Sequence, residues 1–230
     1  MNRNITNLLR FILDELLPPI LRDNKYFMYP LFWIWYKGKH VKRRMEFKTA
    51  YHELTPETYA DFYALKDSLS HDRPTDLNKE SIEYIIKNIG DNKSTKVLDV
   101  GCGRGYFLNR LQEKEYDNIY GLDLFDNLDL GKATYVKGNI ENLPFKDNEF
   151  DVITCSHTIE HLLDPQKSIS ELKRVAKKVI ITVPKQRYYH YTFDLHIHFF
   201  PEKSYLISMI GMDSYTCAEQ NGDWVFVGMS

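Results

Sequence analysis

The chain has 230 residues, enough for one sizeable core plus an extension. Lys and Arg number 30 against 32 Asp and Glu, and a net charge of -2 gives no electrostatic case for wrapping a phosphate backbone, so no nucleic-acid partner is expected. Cys102, Cys155 and Cys217 are odd in number and far apart, which argues against a disulfide framework and suits reduced thiols in the cytoplasm.

The opening run LLRFILDELLPPILR is broken by Arg10, Asp14 and Glu15 and is followed by no small-residue cleavage site, so no signal peptide is expected. The spacing of Leu8, Leu9, Phe11, Ile12 and Leu16 predicts a helix over 5–17 that stops at Pro18-Pro19. An aromatic block follows (Tyr26, Phe27, Tyr29, Phe32, Trp33, Trp35, Tyr36), and then at once Lys37, Lys39, His40, Lys42, Arg43 and Arg44. Rings followed by cations suit a membrane interface. The uncharged run 26–36 is nevertheless far short of the roughly 20 residues that a membrane-crossing helix needs. Residues 1–75 hold no nucleotide motif and read as a helical, aromatic extension. Its apolar surface must be buried as a lid over the rest of the chain, at a membrane interface or in a homodimer contact, the lid being the default.

From residue 76 to 230 helix and strand alternate, which implies an α/β domain with a mostly parallel sheet. Helices are predicted over 81–89 and 106–114, and strands over 97–100, 118–124, 133–139, 150–156 and 178–184. Helical spacing recurs in Ile159, Leu162 and Leu163, and again in Ile169, Leu172 and Val175, with Pro165 dividing the two helices. Two strand-like runs around Asn221-Gly222 predict an antiparallel hairpin at the end.

The strand VLDV ends in a turn bearing Gly101, Gly103 and Gly105, the form of a nucleotide-cofactor loop whose glycines permit positive φ and close backbone approach. The dinucleotide pattern G-x-G-x-x-G would put its third glycine at Tyr106, so the loop fits a ligand without a pyrophosphate better. Asp99, Gly101, Gly103 and Gly105 match D-x-G-x-G-x-G, and over 76–230 the chain resembles the class I S-adenosylmethionine (SAM)-dependent methyltransferases.

That resemblance implies a Rossmann-like, seven-stranded sheet. It also implies SAM as cofactor and S-adenosylhomocysteine as product. Asp99 and the glycine backbone would surround the methionine part, and Asp123, 24 residues after Asp99 and followed by Leu124, would bind both ribose hydroxyls. The stretch GNIENLPFKDNEFDVI matches the family's adenine segment, with Asn139 in place of the usual acid as acceptor and Ile140 packed on the ring. Ser156 ends the fourth strand beside the cofactor, and His157 in HTIEHL would lie near the sulfonium. The usual helix between the second and third strands must be very short or absent, because only FDNLDLGKAT lies between Asp123 and Tyr135.

Displacement at a sulfonium carbon needs alignment and, for a neutral acceptor, a base. The candidates are His157, His190, His196 and His198, with His196 first and His157 second, because the segment 185–203 follows the fifth strand where the acceptor-covering insertion belongs. Metal binding by His157 with His161, or by His196 with His198, is weighed against structural roles for these residues, and no metal is expected. The expected reaction is O-methylation of a small molecule or a surface-glycan sugar or phosphate, in the cytoplasm or at the inner face of the membrane. N-methylation of a small amine, a nicotinamide-cofactor oxidoreductase and a non-catalytic membrane-associated scaffold are the rivals.

Overall fold

The computed structural model describes residues 8–9, 11–55, 58–59, 74–124 and 129–229. The chain forms two compact units, Met1–Arg73 with Arg187–Ile197, and Pro74–Gln186 with His198–Ser230. The segment 187–197, which the sequence reading keeps with the α/β domain, therefore groups with the N-terminal part.

The first unit is a set of short helices. A wide turn over Ile12–Leu16 closes through Leu17 N–H on the Ile12 carbonyl, and Leu17 is extended ahead of Pro18. Then come α1 (Pro19–Arg22), α2 (Lys25–Trp35), α3 (Val41–Met45) and α4 (Phe47–Ala50). The Asn24 side chain caps α2 by accepting from the N–H groups of Tyr26 and Phe27. The core gathers Leu13, Met28, Phe32, Trp35 and Tyr36 around Tyr189, and Phe193 stacks on Trp35 with ring centroids 4.9 Å apart. The helical stripe expected from the sequence does not face inward. Among the described residues of that run, Leu8, Leu9, Phe11 and Leu16 are exposed and Leu13 is buried.

In the second unit α5 (Lys79–Ile89), β1 (Val97–Val100), α6 (Tyr106–Glu113), β2 (Ile119–Asp123), β3 (Thr134–Lys137) and β4 (Phe150–Ser156) follow in order. They are succeeded by α7 (Pro165–Val175), β5 (Ala176–Pro184), α8 (Lys203–Ile210), β6 (Tyr215–Gln220) and β7 (Asp223–Met229). The seven strands are ordered β3-β2-β1-β4-β5-β7-β6, all parallel but for β7, which runs antiparallel to both β5 and β6.

Alternate residues of each strand serve opposite faces. Val97, Val152 and Ile180 pack with α5 and α6 through Ile82, Ile85 and Leu108, while Leu98, Ile153 and Ile181 pack with α7 and α8 through Ile169, Leu172 and Leu206. Asn221 and Gly222, at φ of 46° and 85°, make the tight hairpin between β6 and β7.

Two local readings differ from the sequence. Ile159–His161 forms a single 3-10 turn instead of a helix, since Asp164 and Pro165 begin α7 four residues on. The helix α8, ended by Gly211 in the left-handed region, was not anticipated. Residues 125–128 of the connection between Asp123 and β3, where the sequence predicts a very short or absent helix, lie outside the described residues.

Candidate active site

In an open parallel sheet, the crevice for a ligand lies outside the carboxyl ends of the strands where the strand order reverses. Here that point falls between β1 and β4, and both strands carry a polar residue near that end. Asp99 of β1 pairs in register with Thr154 of β4, whose hydroxyl donates to Asp99 Oδ1 at 2.7 Å. Asp99 is buried, and burial raises its pKa to about 7; the Thr154 hydroxyl opposes that rise and Asp123 adds to it.

The loop after β1 turns through Gly101, Gly103 and Gly105 at φ of 72°, 52° and 74°. A Cβ on Gly101 would lie 2.3 Å from Thr158 Oγ1, so glycine lets this loop lie against the one after β4. Nothing lies within 4 Å of the point a Cβ on Gly103 would occupy, so the backbone there faces open space.

The loop is also tied to the end of β2. Gly101 N–H donates to the Leu122 carbonyl at 2.8 Å, and Gly103 N–H donates to Asp123 Oδ2 at 2.8 Å. Asp123 Oδ1 accepts from Leu124 N–H at 2.7 Å. Each carboxylate oxygen is thus oriented by one backbone donor and keeps a second lone pair.

Three comparisons bear on this arrangement. Residues 98–179 match the family described as Methyltransferase domain. Among curated proteins, 144 residues are 33% identical to an uncharacterized protein of Methanocaldococcus jannaschii, covering 60% of each chain. A further 112 residues are 31% identical to the ubiquinone biosynthesis O-methyltransferase of Escherichia coli O157:H7, covering 44% of this chain and 46% of that one. The match thus spans about half to three fifths of these relatives' length. Among solved structures, a SAM-dependent methyltransferase from Aquifex aeolicus superposes with a TM-score of 0.53 at 22% identity, over 76% of this chain and 98% of that one.

The chain carries a class I SAM-dependent methyltransferase domain.

The cofactor of this methyltransferase family is SAM, and the site residues fit it. Gly103 leaves room where a side chain would intrude, Asp123 keeps lone pairs for two hydroxyls, and the buried Ser156 Oγ has no hydrogen-bond partner among the described residues. Leu124 is exposed beside Asp123. Asn139 follows β3, but its Oδ1 already accepts from Glu141 N–H at 2.9 Å in a local turn, and Ile140 is buried in the methyltransferase core. Cys102 is buried, and burial pushes its thiol well above the usual range, which disfavours the thiolate.

The histidines part company. His157, at φ 51°, follows β4 and lies between two fully buried carboxylates, Nδ1 3.3 Å from Glu160 Oε1 and Nε2 3.5 Å from Asp223 Oδ2. These separations mark ion pairs more than aligned hydrogen bonds. Burial opposes the imidazolium, yet Asp223 and Glu160 outweigh it and raise the pKa to about 10. Those carboxylates favour the imidazolium, which has no lone pair to take a proton, and this argues against His157 as the base.

Asp223 is itself fixed, since Asn78 Nδ2 and Ser81 Oγ donate to its Oδ2 at 2.8 and 2.9 Å. The 3-10 geometry at Ile159–His161 also removes the helical face that His157 and His161 would have shared as metal ligands.

His198 is the opposite case. Its backbone N–H donates to the Glu160 carbonyl at 3.0 Å, and Nε2 lies 2.9 Å from the Leu162 carbonyl. A carbonyl only accepts, so Nε2 carries the proton and Nδ1 the lone pair. Burial lowers the His198 pKa against the opposing effects of Leu162 and Glu160, which keeps the ring neutral. His196 is buried, and His190 donates its backbone N–H to Asp23 at 2.7 Å, both in the first unit. The signal for His198 in the sequence is its place in the segment 185–203 after the fifth strand; the loop that fixes its tautomer is visible only when folded.

Proposed function

We propose that the protein is an enzyme that transfers the methyl group of SAM to an oxygen of a small molecule or of a glycan sugar or phosphate, working in the cytoplasm. The observation that carries the reading is the conjunction at the switch point of a buried acid, an open left-handed glycine loop and a carboxylate with lone pairs to spare. An oxygen acceptor is supported by the curated relative named for O-methylation in ubiquinone biosynthesis.

SAM, when bound, supplies a carbon already activated for displacement, so no covalent enzyme intermediate is required. Asp123, with Leu124 beside it, receives the ribose hydroxyls. Asp99 and the backbone of Gly101, Gly103 and Gly105 surround the methionine part, with Ser156 donating or accepting from the end of β4. Asn139 and Ile140 form the adenine side, Asn139 with its remaining lone pair.

His198 takes the proton of the acceptor, because it is a neutral imidazole after β5 whose tautomer is fixed by the loop after β4. His196, the residue favoured by the sequence, is its rival. His157 holds that loop by charge and does not exchange protons.

The test is release of S-adenosylhomocysteine from SAM with a panel of hydroxyl, phosphate and amine acceptors. His198→Ala is expected to lower turnover about 100-fold while leaving SAM affinity unchanged. If His198→Ala retains turnover and His196→Ala abolishes it, the base is His196. If no acceptor releases product although SAM binds, the chain is a SAM-binding scaffold and the enzymatic reading fails.

A further inference from the structure

The aromatic and basic run in the first unit carries none of the residues given roles above, and its helix α2 has an unusual surface. A globular helix buries an apolar stripe and turns charge outward. In α2 the inward stripe is Met28, Phe32 and Trp35, at i, i+4 and i+7. Yet the outward arc is apolar too. Tyr26, Phe27, Tyr29, Leu31, Trp33 and Ile34 are all exposed, Tyr26 by 88%, Ile34 by 59% and Trp33 by 54%. Lys25 is the only charged residue of α2. In α1, Ile20 is 78% exposed. A helix that is apolar all round is either fully buried or bathed in an apolar medium.

Charge on the same stretch is one-sided. Residues 24–45 contain six Lys and Arg and no Asp or Glu. Lys25, Lys37, Lys39, Lys42 and Arg43 are exposed.

The basic turn is folded onto the end of α2. Gly38 N–H donates to the Trp33 carbonyl at 2.8 Å, and a Cβ on Gly38 would lie 3.1 Å from the indole Nε1. The cations thus stand beside an exposed indole. A groove of about 710 Å³ with Tyr29, His40, Lys42 and Arg43 in its lining, and Glu46 as its one acid among the described residues, joins ring and cations again.

We infer that this face docks on an anionic lipid bilayer, with the outward arc of α2 in the headgroup region and the cations from Lys37 to Arg43 against lipid phosphates. Tyr and Trp at an interface with Lys and Arg beside them are what such a surface takes. A second copy fits less well, because a two-fold contact is made by the same patch on both partners and would bring two basic turns into one interface, while Glu46 of that groove already faces Lys25 at 3.9 Å. No helix of the described residues is long and apolar enough to cross a membrane, so the contact is peripheral.

The test uses the full chain with phosphatidylcholine vesicles, with and without phosphatidylserine, at low and high salt. The protein is expected to co-sediment only with the phosphatidylserine vesicles and to be released as salt screens the contact. Tryptophan emission should shift to the blue on binding, and Trp33 reports it, because Trp35 and Trp224 are only 5% and 8% exposed in the free protein. Reversing Lys37, Lys39 and Lys42 together to Glu should lower partitioning about 100-fold or more, at about fivefold per cation removed. Trp33→Ser with Ile34→Ser alters only exposed side chains and should weaken co-sedimentation with phosphatidylserine vesicles, with SAM affinity unchanged. Two results would overturn the inference. One is intact protein left in the supernatant with phosphatidylserine vesicles at low salt. The other is a dimer that these serine substitutions dissociate, without any vesicle binding, which would assign the face to a second copy.

Discussion

Asp99 is an acid whose burial raises its pKa to about 7, placed where the proposed reading puts the cationic end of a cofactor. A carboxylate facing a cation favours the ionised form, so the bound complex should hold Asp99 deprotonated while the free protein is half protonated near neutrality. The sign follows directly: below pH 7 the proton must be driven off before SAM binds, and above it no proton is in the way. SAM affinity should therefore rise about tenfold between pH 6 and pH 8, as a single group of that pKa dictates. Asp99→Asn should flatten the profile; an equally steep profile in that variant would remove Asp99 from the cofactor site. This part of the site was legible in the sequence because the acid, the three glycines and Asp123 are set by local chemistry, strand then turn then helix. The assignment of the base was not. Whether a histidine is a cation or a neutral acceptor depends on which carboxylates and carbonyls the fold brings to it, and Asp223 reaches His157 only through sheet register and hairpin.

The network around His157 links three elements. Asn78 caps α5 by accepting from Ser81 N–H at 2.7 Å, and its amide donates to Asp223 at the start of β7. Asp223 faces His157 after β4, and His157 faces Glu160. Removing one member of a buried ion-pair group leaves the others uncompensated, so Asp223→Ala should lose about 3 to 5 kcal/mol of stability in denaturant titrations. The pH dependence has a definite sense. His157 in the folded chain has a pKa raised to about 10 from 6.5, so its stabilisation is complete below pH 6.5 and is lost as pH rises through about 10. The melting temperature should fall across that window in the parent and fall less in His157→Gln. Equal slopes would mean that the histidine carries no net charge. At this scale the sequence read the strands closely, since alternating apolar residues and the Asn221-Gly222 turn are local signals. It read Ile159–Leu163 as helical because apolar spacing alone cannot weigh the Asp164-Pro165 start of the next helix.

The whole molecule comprises a seven-stranded methyltransferase domain and a second unit made of the N-terminal helices and residues 187–197. The membership of that last segment could not be read beforehand. Tyr189, Tyr191 and Phe193 look like any aromatic loop until they pack with Met28, Phe32 and Trp35, side chains far away along the chain. The alternation of helices and strands, by contrast, declares a parallel sheet, and the glycine spacing points away from a dinucleotide. The account rests most heavily on SAM as the ligand of the switch-point crevice. Calorimetric titration of the full chain with SAM, and separately with NAD, tests it. SAM should bind saturably and NAD should not, and Asp123→Ala should weaken SAM binding by about 1.5 to 3 kcal/mol, the range for hydrogen bonds to a charged group. A folded chain that gives no heat with SAM, or an Asp123→Ala variant that binds it as tightly as the parent, would contradict the account.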